Sequence, residues 1–130
     1  MVDFRSDVSG LCAPPEPYSY SVRAGNTIYL AGQVALDDAG GIVGSSLGEQ
    51  ATQVWRNIEA VLVANGATLA DIVKINYYLQ DVRDLPHEIE VRRQLFAPDR
   101  MPAVTAVQVA ALGLPGLTVE VEVIAVVGCD

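Results

Sequence analysis

Hydrophobic and polar positions alternate with a period of two toward both ends of the chain and recur with a helical period through its middle. Tyr18 to Val22 and Thr27 to Val34 are rich in β-branched and aromatic residues, and Arg23-Ala24-Gly25-Asn26 joins them with the Gly and Asn that hairpin turns favour. Asp37-Asp38-Ala39-Gly40-Gly41 breaks the alternation. Ser46-Leu47-Gly48-Glu49 has the S-x-x-E form of a capping box, in which a hydroxyl and a carboxylate satisfy free backbone N–H groups at a helix start. Ala51, Val54, Trp55, Ile58, Val61 and Leu62 follow at helical spacing until Asn65-Gly66 closes the run.

Ile72 to Gln80 alternates again, with Val73, Ile75, Tyr77 and Leu79 on one face and Lys74, Asn76, Tyr78 and Gln80 on the other, as a half-buried strand does. A second helix is predicted next: Asp84 is placed to cap it, Pro86 suits its first turn, and Leu85, Ile89 and Phe96 share a stripe. Glu88 and Arg92 stand four apart on its predicted surface, and Pro98 ends it. Ala103 to Val109 and Leu117 to Val127 are the last two strands, separated by the turn-rich Gly113-Leu114-Pro115-Gly116. In the second of these Leu117, Val119, Val121, Val123, Ala125 and Val127 point one way, and Thr118, Glu120, Glu122, Ile124 and Val126 the other. The order ββαβαββ, with short connections between its first two and its last two strands, excludes a Rossmann unit. It predicts an α+β domain in which two helices pack on one face of a mixed sheet. Residues 1 to 17 read as a lead-in segment closed by Ala13-Pro14-Pro15-Glu16-Pro17, and residues 18 to 130 as a single domain.

Composition sharpens this picture. The chain has 130 residues, room for one domain. Its 51% hydrophobic content and mean hydropathy of +0.30, beside only 18% charged residues, predict a face buried against other subunits. A net charge of -8, with 8 Lys and Arg in all, argues against nucleic-acid partners and acidic lipid surfaces. No apolar run approaches the roughly 20 residues of a membrane helix, and MVDFRSDVSG lacks a signal peptide's apolar stretch, so a cytoplasmic location is expected. Cys12 and Cys129 read as free thiols, and the single His87 makes no metal site. Nothing in the sequence calls for a metal or organic cofactor.

Glu120 and Glu122 emerge from one face of the last strand, about 6.6 to 6.8 Å apart along it. Beside Ile124 and Val126, two such carboxylates raise each other's pKa and suit a general acid or base near neutral pH. The same alternation equally fits the solvated outer face of an antiparallel sheet. Tyr18, Tyr20, Tyr77 and Tyr78 divide no more clearly between core, interface and chemistry. The sequence holds no G-x-S-x-G, P-loop, C-x-x-C, H-E-x-x-H or G-x-G-x-x-G, so triad hydrolases, nucleotide triphosphatases, thioredoxin-like proteins, zinc proteases and dinucleotide enzymes all lack their signatures.

Pro17-Tyr18-Ser19, followed by Gly25-Asn26-Thr27-Ile28-Tyr29-Leu30-Ala31-Gly32-Gln33, resembles the opening of the Rid family, also called the YjgF/YER057c/UK114 family. Trp55-Arg56-Asn57-Ile58, Asp71-Ile72-Val73-Lys74 and Val119-Glu120-Val121-Glu122-Val123-Ile124-Ala125 fall in that family's order and spacing, and the resemblance covers residues 12 to 127. It implies a chorismate-mutase-like fold assembled as a homotrimer, with a small-molecule pocket at each subunit interface. It also implies hydrolysis of reactive enamines and imines to ketoacids and ammonia without a cofactor. Family pockets combine the Tyr of P-Y-S, the backbone of an S-G-Q turn, an Arg after P-A that clamps the substrate carboxylate, and a Glu of the last strand that positions water. Tyr18, Gly32 and Glu120 match, and Tyr18 and Glu120 are the expected catalytic pair.

The clamp departs from the pattern. Where deaminase members read P-A-R-[ST]-C, this chain reads Pro102-Ala103-Val104-Thr105-Ala106, so Val104 takes the Arg position and Ala106 the Cys position. Ile89 takes a helix position often held by Asn. Gly32, Val104, Thr105, Ala106 and Ile89 are the expected substrate-binding set. Without the bidentate Arg, a small 2-imino acid would have its carboxylate desolvated with no partner. The resemblance therefore predicts an enzyme acting on the imine, enamine or enol of a more apolar substrate; its alternative is a trimer that binds a small ligand or regulates a partner without chemistry. Arg23, Arg92 and Arg93 are the candidates to replace the clamp from a neighbouring subunit. The acidic charge and the lone His argue against the ribonuclease label that some relatives carry.

Overall fold

The computed structural model describes residues 1–128; Cys129 lies outside them, and Cys12 is a free thiol. The strands are β1 (Val2–Arg5), β2 (Ser21–Ala24), β3 (Thr27–Leu30), β4 (Ile72–Leu79), β5 (Ala103–Gln108) and β6 (Val119–Val126), with helices α1 (Leu47–Ala64) and α2 (Leu85–Leu95) between them. All six strands join one sheet in the order β1-β2-β3-β6-β4-β5. The α+β class and the mixed sheet are as the sequence predicts, with β4 and β5 parallel and every other pair antiparallel.

The last two strands are not neighbours, although the short connection between them suggested it. β5 pairs with β4 through the α2 crossover, and β6 inserts between β3 and β4. This places the most regular apolar alternation in the chain at the centre of the sheet. Val119, Val121, Val123 and Ala125 of β6 join Ile28, Leu30, Ile75, Tyr77 and Leu79 in one core with Val54, Trp55, Ile58, Val61 and Leu62 of α1 and Phe96 after α2. Trp55 and Phe96 meet edge to face, with ring centroids 5.7 Å apart, which links the two helices.

The α1 start is as its sequence predicts: the Ser46 hydroxyl accepts from the Glu49 N–H, and Glu49 accepts in return from the Ser46 N–H. Two buried polar residues of α1 then fasten loops. Gln50 donates to the Gly116 carbonyl at 2.8 Å and accepts from the Thr118 N–H at 2.7 Å, while Asn57 donates to the Val34 and Leu36 carbonyls.

Three local expectations are corrected. Val73 is exposed and Ile72 buried, because a bulge between Ile72 and Lys74 shifts the register against β6 and turns the first residues of β4 over. Asp84 makes no capping bond; Asp81 instead accepts from Arg83 N–H in a short 3₁₀ turn that runs directly into α2. Glu88 is not on the surface: it is 2% exposed and grips Arg92 with two hydrogen bonds, at 2.7 and 3.0 Å.

The first 17 residues do more than lead in. β1 pairs along β2, Val8 joins the core, and Tyr20 Oη donates to the Cys12 carbonyl at 2.6 Å. That bond fixes the Pro-rich stretch against the body of the domain.

Candidate functional site

The face of the sheet away from the helices carries Glu120, Glu122 and Ile124 of β6, Asn76 and Tyr78 of β4, and Tyr29 of β3, as their cross-strand partners require. At one end of this face a cleft of about 500 Å³ is lined by Tyr18, Gly32, Glu120, Cys12, Leu114 and Leu117, among others. Its construction follows from the loops. Beyond β3 the chain continues alongside β6, with Gln33 and Val121 exchanging backbone hydrogen bonds at 2.8 and 3.0 Å. Gly32 is thereby pressed against Glu120: a Cβ at position 32 would lie 2.9 Å from the Glu120 carboxyl carbon, closer than real Cβ contacts allow. Gln50 holds the opposite wall through Gly116 and Thr118.

The two glutamates differ in surroundings. Glu120 is half-buried, and burial first, then the neighbouring Glu122 charge, pushes its pKa up. Glu122 instead accepts from Asn76 Nδ2 at 2.9 Å and Tyr78 Oη at 3.2 Å, so its charge is compensated by donors. Neither carboxyl belongs to a merely solvated face. Tyr18 stands edge-on to Tyr20, and burial, with help from Cys12, Glu16 and Glu120, raises its pKa, which keeps its hydroxyl protonated as a donor. The cleft therefore offers one carboxyl with raised proton affinity, one phenolic donor and apolar walls. Among the described residues no His, Cys, Asp and Glu cluster could hold a metal ion.

The family model described as Endoribonuclease L-PSP matches residues 11–127. A RutC family protein of Pyrococcus horikoshii is 39% identical over 113 residues, covering 86% of this chain and 88% of its own. A bovine 2-iminobutanoate/2-iminopropanoate deaminase is 40% identical over 86% of this chain and 81% of its own. The solved structure of a conserved Rid-family protein from Yersinia pestis superposes with a TM-score of 0.90 at 29% identity, over 98% of this chain and 100% of that one. The chain belongs to the Rid family. The Rid fold predicted from its motifs is thus the observed one, and no helix among the described residues is long and apolar enough to cross a membrane.

The other residues singled out through the Rid resemblance lie elsewhere. Val104 and Ala106 are in register with Ile75 and Tyr77 and pack against the core on the helix side of the sheet. Ile89 is half-buried on α2, whereas Thr105 is on the open face, where its hydroxyl accepts from Lys74 Nζ at 3.0 Å. None of these four lines the Glu120 cleft, so within one chain Val104 does not press on Glu120. Parity turns Val104 and Ala106 toward the helices, Ile89 lies on a helix, and Thr105, though on the open face, stands on the edge strand with β4 between it and β6. Cys12 and Leu114, both cleft-lining, lie outside the Rid motifs; the Pro-rich stretch that begins just after Cys12 and the Gly113 to Gly116 turn that carries Leu114 were the available signal.

Proposed function

We propose that this Rid-family chain hydrolyses a reactive imine, or the imine tautomer of an enamine, at the Tyr18–Gly32–Glu120 cleft. In this reading a homotrimer brings Ile89, Val104 and Ala106 of a neighbouring copy to the mouth of the cleft, with Ile89 and Val104 facing the apolar part of the substrate. The observation that carries it is the half-buried Glu120 carboxyl seated on Gly32, where a side chain would displace it. Proton transfer is the task such a group suits. Protonated Glu120 gives its proton to the enamine carbon or imine nitrogen, and the resulting carboxylate takes one from the attacking water. The tetrahedral aminoalcohol then collapses, expelling ammonia and leaving a carbonyl, with Tyr18 donating to the substrate. Atoms balance as imine plus water to carbonyl plus ammonia, with no cofactor.

The names of the deaminase relatives support the reaction class. The apolar residues at positions 89, 104 and 106 support a substrate bulkier than the smallest 2-imino acids. The test follows ammonia and carbonyl release from imines generated in place by an amino-acid oxidase, from alanine-sized to aromatic. Glu120→Gln is expected to lower turnover about 100-fold or more while leaving assembly intact. Equal turnover in the variant would remove Glu120 from the mechanism. Ligand binding with no turnover of any imine would favour the non-catalytic binding role.

A further inference from the structure

Three polar groups sit in the otherwise apolar layer between α2 and the sheet. Glu88 is 2% exposed and Tyr77 1%. The Arg92 side chain is 16% exposed and its guanidinium lies 5.4 Å over the Tyr77 ring. Buried ion pairs seldom add stability over apolar packing, and the buried Tyr77 hydroxyl lies against Glu88 and Arg92 without a well-formed hydrogen bond, so packing alone gives no reason for this cluster.

Its place in the fold does. Tyr77 is in register with Ala106, and Val104 lies two residues back on the same face of the edge strand. Arg92 is one helical turn from Ile89 on α2. The guanidinium therefore stands over the strand pair that carries two of the three positions where the deaminase pattern has lost its polar residues. Glu88 occupies Nε and Nη2, which locks the orientation of the plane. Among the described residues Nη1 makes no bond to Glu88, and the Arg92 side chain keeps 16% of its surface exposed, so this end of the fork is the one left open to a ligand. The other candidates for a replacement clamp are poorly suited. Arg23 donates to the Gly25 and Asn65 carbonyls, and Arg93 is exposed on α2 with no partner holding it among the described residues.

We infer that Arg92 is the anion-binding residue of the α2–β5 half of the site, receiving through Nη1 the carboxylate of a 2-imino acid and of its 2-oxo acid product. The inference rests on the proposal that this half faces the Glu120 cleft of a neighbouring copy. Glu88 acts as the positioning residue, holding the fork, and the small Ala106 leaves room for the carboxylate beside the Tyr77 ring. The substrate class is thereby narrowed to acids whose apolar side chain occupies the space that a longer residue at position 104 would fill.

The test uses 2-oxobutanoate as the probe and 2-oxobutanamide as its uncharged counterpart, with binding to the full chain read by calorimetry or NMR. Wild type is expected to bind the acid at least tenfold more tightly than the amide. Arg92→Lys keeps the charge without the fork and is expected to weaken acid binding about tenfold. The double variant Glu88→Met, Arg92→Met removes both buried charges together, so it retains the fold, and it is expected to abolish the preference for acid over amide. Adding Val104→Arg to that double variant is expected to restore it. Acid and amide binding falling together would assign Arg92 to structure alone and overturn the inference, as would unchanged acid binding in the double variant or a wild type that binds no acid. Arg92-dependent acid binding without turnover of any imine would instead defeat only the deaminase reading. Turnover that needs Glu120 but ignores Arg92 would do the reverse.

Discussion

Position 32 admits no side chain while Glu120 keeps its place. Gly32→Ala is expected to push the Glu120 carboxyl out of the cleft rather than unfold the sheet, because the obstructing atoms are the far end of a flexible side chain. Turnover should fall about as far as in Glu120→Gln, with the thermal midpoint nearly unchanged; a large loss of stability would mean that the loop, not the carboxyl, gives way. Glu120 itself should leave a signature in stability against pH. Its folded pKa lies above the ordinary value of 4.5, so the folded state binds more protons than the unfolded one in that window. Stability therefore falls as pH rises through the interval between the two values, and the penalty persists at neutral pH. Glu120→Gln should raise the thermal midpoint at pH 7 and lose that advantage below about pH 4. A gain that was the same at both pH values would place the cause in packing rather than ionisation.

At the level of elements, α1 was legible almost to the residue, since Ser46, Glu49 and the apolar stripe are local signals that tertiary structure leaves alone. α2 was not. Glu88 and Arg92 at a four-residue spacing are the usual mark of a solvated helix face, and only the seating of α2 over Tyr77 turns that face inward. The bulge that exposes Val73 and the insertion of β6 beside β4 were likewise invisible, because register and strand order depend on partners distant in sequence. Within the site, spacing alone put Glu120 and Glu122 on one face but could not tell them apart. The difference comes from Asn76 and Tyr78, which cross the sheet to Glu122 only once β4 and β6 pair. The buried pair in α2 carries its own prediction. Glu88→Ala strands the Arg92 charge and should cost about 3 kcal/mol or more in denaturant unfolding, whereas replacing both partners with Met should be close to neutral. Equal losses in the two variants would mean that the shape of the pair, not its charge, is what the core needs.

For the whole molecule, the open face of the sheet is the surface to explain. Phe4, Val22, Tyr29 and Ile124 follow one another across β1, β2, β3 and β6 in register, an apolar row on the side that no helix covers. In the proposed homotrimer this row is buried between copies. Ile124→Asp is expected to give a folded single chain by sedimentation and circular dichroism, with turnover lost because the two halves of the site no longer meet. A variant that stays assembled would move the interface elsewhere. The central position of β6 has a consequence for biosynthesis as well. It is the last of the six strands to be made, yet it is the one that β3 and β4 both require as a neighbour. Until residues 119–126 emerge from the ribosome, the nascent chain holds two partial sheets with open inner edges, the kind of surface that seeks pairing with other chains. The carboxyl proposed for catalysis arrives on that same strand, so the event that closes the sheet is also the one that arms the site.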